Sequence, residues 1–140
     1  MKIMNLEMIQ RYHDLEADDP KLRRLTGLKR SEFELLHGYF RDAWNAYFAE
    51  YTLDGVARLR QASVRKNSIF GDTHDALLFG LIYLNGNLRQ DQLATFFGID
   101  QPKASKYLSL IQRILLQVIE ATPRAVPKRR LDKFLDMLSK

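Results

Sequence analysis

The stretch Leu88 to Arg113, LRQDQLATFFGIDQPKASKYLSLIQR, decides the fold. It reads as a helix, a tight turn and a second helix. The first helix covers Asp91 to Phe97. Gly98 stops it, because glycine enters the left-handed conformation without a Cβ clash. Ile99 is apolar and tucks between the two helices. Asp100 stands where a carboxylate caps a new N-terminus, and Pro102 is tolerated in a first turn, where amides are unpaired anyway. The second helix carries Ala104, Tyr107, Leu108, Ile111, Leu115 and Ile119 at helical spacing. Small Ala94 lets the helices approach closely. This is the pattern of a DNA-binding helix-turn-helix, in which Gln101, Lys103, Ser105, Lys106 and Ser109 point at DNA. The plainer reading of the same residues is an ordinary helical hairpin.

Upstream, Ala76 to Leu84 is apolar nearly all round, as a helix buried on most sides must be. Asp72 or Thr73 caps it and Asn85-Gly86-Asn87 ends it. It is the expected supporting helix of a three-helix unit. Before it, Thr52 to Asp72 breaks the helical pattern. It holds Arg58, Arg60, Arg65 and Lys66 with no acid between these positions. A basic loop or short β-hairpin is expected, either lying along phosphates or in a minor groove or simply solvated. Earlier still, Ser31-Glu32-Phe33-Glu34 has the form of a capping box, with Ser31 as cap. The helix it opens should reach about Tyr51, with Phe33, Leu36, Phe40, Trp44, Tyr47 and Phe48 on its core stripe. Ile3 to Leu15 is a further amphipathic segment, closed by an acidic run and Pro20. Downstream, Thr122-Pro123 closes the long second helix, and a last helix runs from Lys128 to Ser139.

The 140 residues suit one domain, and 46% hydrophobic content is enough for a real core. The formal charge of +5 is compatible with an anionic polymer as partner. That charge is uneven: residues 1–20 contain two basic and five acidic side chains. Without cysteine there is no disulfide and no thiolate metal site, which is compatible with a reducing cytoplasm. No apolar run approaches the roughly 20 residues of a membrane span, and no signal peptide is read. His13, His37 and His74 fall on separate segments without H-x-x-x-H spacing. They read as surface or boundary residues, and no metal ligand and no cofactor is expected. Neither a G-x-S-x-G elbow nor a phosphate-cradling glycine loop is present, so no catalytic residue is assigned.

The order of several short motifs adds to this reading. Leu25-Thr26-Gly27-Leu28 precedes Ser31-Glu32-Phe33, and Tyr51-Thr52-Leu53-Asp54-Gly55 precedes the arginine-rich stretch. Leu77-Leu78-Phe79 runs to Tyr83-Leu84, and Gln92-Leu93-Ala94 runs to Phe97-Gly98-Ile99. Ser105 to Leu108 and Pro127-Lys128-Arg129 follow. From about Asp19 to Leu138 the chain resembles the N-terminal portion of bacterial insertion-sequence transposases of the DDE superfamily, the branch related to eukaryotic Harbinger transposases. The resemblance implies binding to terminal inverted repeats. It also implies that the RNase H-like catalytic domain, with its Asp-Asp-Glu triad, is absent from these residues, so the chain itself is no enzyme. Pro102-Lys103-Ala104 departs from the small polar residues usual at that point.

The expectation is therefore an all-α helical bundle containing a helix-turn-helix at 88–113, with a basic loop or short β-hairpin inserted. Residues 1–20 form an N-terminal helical arm and 21–122 the DNA-binding domain. Residues 123–140 form a C-terminal helix that starts a linker to the missing catalytic domain. The expected partners are double-stranded DNA, a second copy of the chain and a catalytic transposase subunit, with no membrane. The expected place is the bacterial cytoplasm, associated with the nucleoid. The chain is then a fragment, a truncated gene or the upstream frame of a split transposase. The competing expectation is a helical protein-interaction or oligomerisation domain that never touches DNA.

Overall fold

The helix Thr73–Leu84 is the one the others surround. The computed structural model describes residues 11–57, 70, 72–86 and 88–139. Among them lie seven α-helices and a 3-10 turn. They are α1 (Tyr12–Leu15), α2 (Asp19–Thr26), α3 (Arg30–Glu50), α4 (Thr73–Leu84), α5 (Gln90–Phe97), α6 (Gln101–Ala121), the 3-10 turn (Pro123–Ala125) and α7 (Lys128–Leu138). The fold is all-α. The described residues form no strand, only one antiparallel bridge between Tyr51 and Ala57. No described helix is long and apolar enough to cross a membrane.

α4 packs against each of the other six helices. The reason is compositional: ALLFGLI and Leu84 leave no polar face to present to water. Its N-terminus is capped as expected, with the Asp72 carboxylate accepting from the His74 amide at 2.7 Å. Phe79 is fully buried, and its ring meets those of Phe70 and Phe97 edge-on at 5.2 and 5.0 Å. At Gly80 the helix comes within reach of α6. A Cβ there would sit 2.5 Å from Cγ2 of Ile111, so glycine is required by the crossing and not by any turn.

Two local starts differ from the expectation. α3 begins at Arg30, not after Ser31. Its back-cap is Glu32, whose carboxylate accepts from the Lys29 amide at 2.8 Å. Glu34 instead accepts from the Tyr12 hydroxyl at 2.6 Å, a tertiary bond that local spacing does not reveal. Pro20 does not close a helix but stands in the first turn of α2, behind the Asp18 cap. A fixed φ suits that position. The described part of the N-terminal segment docks on the bundle. Tyr12 and Leu15 are buried in the common core, and the Tyr12 amide donates to Asp75 at 2.7 Å.

α7 closes the bundle through long-range polar bonds. Both terminal nitrogens of Arg129 donate to the Glu32 carboxylate at 2.8 Å. This fork geometry suits a carboxylate. The bonds from Arg129 hold the Glu32 carboxyl at about 2, well below its ordinary value, against the opposing effect of burial. Beside it, Asn85 at the end of α4 accepts from Arg130 and donates to the Arg24 and Leu25 carbonyls at 3.1 and 3.3 Å. One side chain thus ties α2, α4 and α7.

Candidate nucleic-acid interface

The helix-turn-helix forms as the residues require. Gly98 has φ +70°, and its amide and that of Ile99 satisfy carbonyls at the end of α5, with Ile99 N–H to Ala94 O at 3.0 Å. Asp100 caps α6, its carboxylate accepting from the Lys103 amide at 2.8 Å. Pro102 lies in that first turn. Leu93, Ala94, Phe97 and Ala104 are buried at the contact between α5 and α6. α4, α5 and α6 all pack on one another, which completes the three-helix unit.

The outer side of α6 is polar. Gln101, Lys103, Ser105, Lys106 and Ser109 are all exposed. Positions 102, 105, 106, 109 and 113 follow helical spacing, so exposed Arg113 extends the same stripe. Arg113 was not among the expected site residues. Its place four residues beyond Ser109 was the available signal.

The end of α3 and the turn after it flank this stripe. Trp44, half-buried, stacks on Tyr107 of α6 with ring centroids 6.3 Å apart. The Arg113 guanidinium lies 5.8 Å from the Tyr47 ring. The Tyr47 hydroxyl donates to the Thr52 carbonyl at 2.9 Å. That bond steadies a turn in which Gly55 takes φ +84° and the Thr52 amide donates to the Val56 carbonyl. The turn brings Asp54 to Lys106, with Oδ1 2.9 Å from Nζ. The hydrogen bond and charge of Asp54 raise the Lys106 pKa. Between turn and helix lies a groove of about 380 Å³, bordered by Leu53, Asp54, Ser105, Lys106, Ser109 and Arg113, among others.

Arg58, Arg60, Arg65 and Lys66 lie outside the described residues. Of the residues flanking that stretch, Phe70 stands beside α6. Ala57 bridges Tyr51, and Phe70 is buried with its ring edge-on to Tyr107 at 5.1 Å.

The histidines correct the sequence reading. His13 is exposed, as expected of a surface residue, but His37 is buried. Its ring stacks on that of His74 with centroids 3.5 Å apart, and Glu34 lies beside both. The missed signal was Glu34-x-x-His37, which puts both side chains on one face of α3. Burial, and then the neighbouring His74, push the His37 pKa down. No family model, curated protein or solved structure matches the chain.

Proposed function

We propose that this chain binds double-stranded DNA sequence-specifically through α6. In this reading it is the non-catalytic N-terminal part of an insertion-sequence transposase and grips the terminal inverted repeats. The observation that carries the reading is the exposed polar stripe on α6, opening at a capped N-terminus and held on a three-helix support. A recognition helix needs this arrangement: its first turns must be free to meet base edges while its other face is fixed to the domain. Gln101 and Ser105 are placed to meet bases. A glutamine bonds both N6 and N7 of adenine. Lys103, Lys106 and Arg113 supply phosphate or guanine contacts, and the four basic residues of the 58–66 stretch add backbone affinity. No catalysis is assigned to this chain. A catalytic transposase subunit and a second copy of the chain remain its proposed protein partners, and the bacterial nucleoid its proposed place.

The test is fluorescence anisotropy with duplexes carrying the inverted repeats that flank the gene, against random duplexes of equal length. Tighter binding to the repeats is expected, falling steeply with salt. Neutralising Arg58, Arg60, Arg65 and Lys66 together should weaken both duplexes alike. It should flatten the salt slope by up to about 0.9 per lost phosphate contact. A folded protein that binds no duplex at low salt would overturn the proposal and leave the protein-interaction reading in its place.

A further inference from the structure

A second cluster of polar side chains stands at the other half of α3. His37 is ten residues before Tyr47, about 15 Å along the helix. Glu34, His37 and His74 each offer one ligand atom here, and these atoms all lie within 4.8 Å of one another. Two elements supply them: Glu34 and His37 from one face of α3, and His74 from the first turn of α4.

The hydrogen-bond geometry leaves a place for a cation. Asp72 Oδ1 lies 3.4 Å from His74 Nδ1. Metal-bound imidazoles commonly keep a carboxylate beside the ring nitrogen that does not bind the ion. The other nitrogen, Nε2, lies 3.2 Å from Glu34 Oε1. This pair is hydrogen-bonded without an ion; a metal ion bound there takes the place of the bridging proton, with Asp72 left beside Nδ1. Zinc bonds of about 2.0–2.1 Å at tetrahedral angles hold ligand atoms about 3.3 Å apart, so this pair already has suitable spacing. The remaining oxygen of Glu34 is engaged by the Tyr12 hydroxyl at 2.6 Å, which orients the carboxylate. His37 has the Thr73 hydroxyl 2.7 Å from its Nε2, and its ring stacks on that of His74, so it must rotate to bring a ring nitrogen to the same ion. His37 is buried, while the side chains of Glu34 and His74 are 41% and 26% exposed, so an ion can enter from solvent.

We infer that Glu34, His37 and His74 form a binding site for a divalent transition metal of the zinc type. Two imidazoles and one carboxylate favour such ions over magnesium or calcium, which take oxygen ligands. A fourth position is left to solvent. The bound ion would tie α3 to the start of α4 and, through Tyr12, hold the N-terminal segment down. This role does not depend on DNA binding.

The test is titration of chelator-treated full-length protein with zinc chloride at pH 7.5, followed by calorimetry and by ¹⁵N NMR of the imidazoles. One equivalent should bind, raise the unfolding midpoint and shift the ring nitrogens of His37 and His74 but not those of His13. Glu34→Gln and His74→Gln should each abolish stoichiometric binding, while His13→Gln leaves it intact. Tyr12→Phe should weaken it about 10–100-fold, as loss of an outer partner does. Absence of one-equivalent binding by the unmodified protein would overturn the inference, as would shifts confined to His13. The NMR arm uses the unmodified chain, so it decides even if a variant fails to fold.

Discussion

α4 and α6 cross at Gly80 and Ile111, yet they are built on opposite plans. Nine of the twelve residues of α4 are buried, so it presents almost no surface to a partner. α6 is longer, with 21 residues, and buries only one side. Its other side carries Gln101, Lys103, Ser105, Lys106, Ser109 and Arg113 to solvent. The difference separates two tasks. A helix surrounded by others is fixed in position, and a helix packed on it inherits that position while keeping a face free. Side chains presented by a rigid support keep their geometry better than side chains on a loop.

The sharpest way to break the contrast is Phe79→Ala. Phe79 is fully buried between two other phenylalanine rings. Its truncation should cost about 3–5 kcal/mol in urea denaturation, and a cost below about 1 kcal/mol would mean that α4 is not the centre of the core. Gly80→Ala comes next. The added methyl group meets Ile111, and overpacking of this kind costs about 1–3 kcal/mol. Ile111→Leu, which lacks the branched Cγ2 methyl group, should recover part of that loss in the same background. If the two changes simply add, the crossing is looser than the geometry shows.

On α6 the expectation reverses. Gln101→Ala should change stability by no more than about 0.5 kcal/mol, since it is exposed. It should cost about 1–3 kcal/mol of binding to the specific site and little on random DNA. Equal losses on both duplexes would remove Gln101 from the reading face. The smallest effect belongs to Asp54→Asn. It frees Lys106 from its ion pair, and binding to every duplex should tighten by a few-fold at low salt, with the gain fading as salt screens it. Unchanged affinity would show that Lys106 stays off the DNA.

Much of the three-helix unit was legible because it rests on short-range rules. Gly98, Asp100, Pro102 and the apolar spacing each act within a few residues, and each does in the structure what its chemistry requires. The exposed residues of α6 were legible for the same reason, as the complement of its apolar stripe. What stayed hidden depends on distant partners. Glu34 looked like a local cap until Tyr12 and His74 came to it from other parts of the chain. His37 and His74 are 37 positions apart, and nothing in their own neighbourhoods says that their rings will stack. Asp54 likewise meets Lys106 only because Tyr47 holds the intervening turn against α6. Helix starts were misplaced where two acids competed for one cap, as at Glu32 and Glu34.

The clamp between Arg129 and Glu32 spans 97 positions, and the bond from Arg130 to Asn85 spans 45. Chains are made from the N-terminus, and a loop closes only when both of its ends exist. During synthesis, Glu32 must therefore wait until residue 129 has been made before its partner arrives. Until then Phe134, which is fully buried in the finished bundle, has not yet covered its part of the core. The growing chain thus passes through a stage with a complete helix-turn-helix and an open apolar flank.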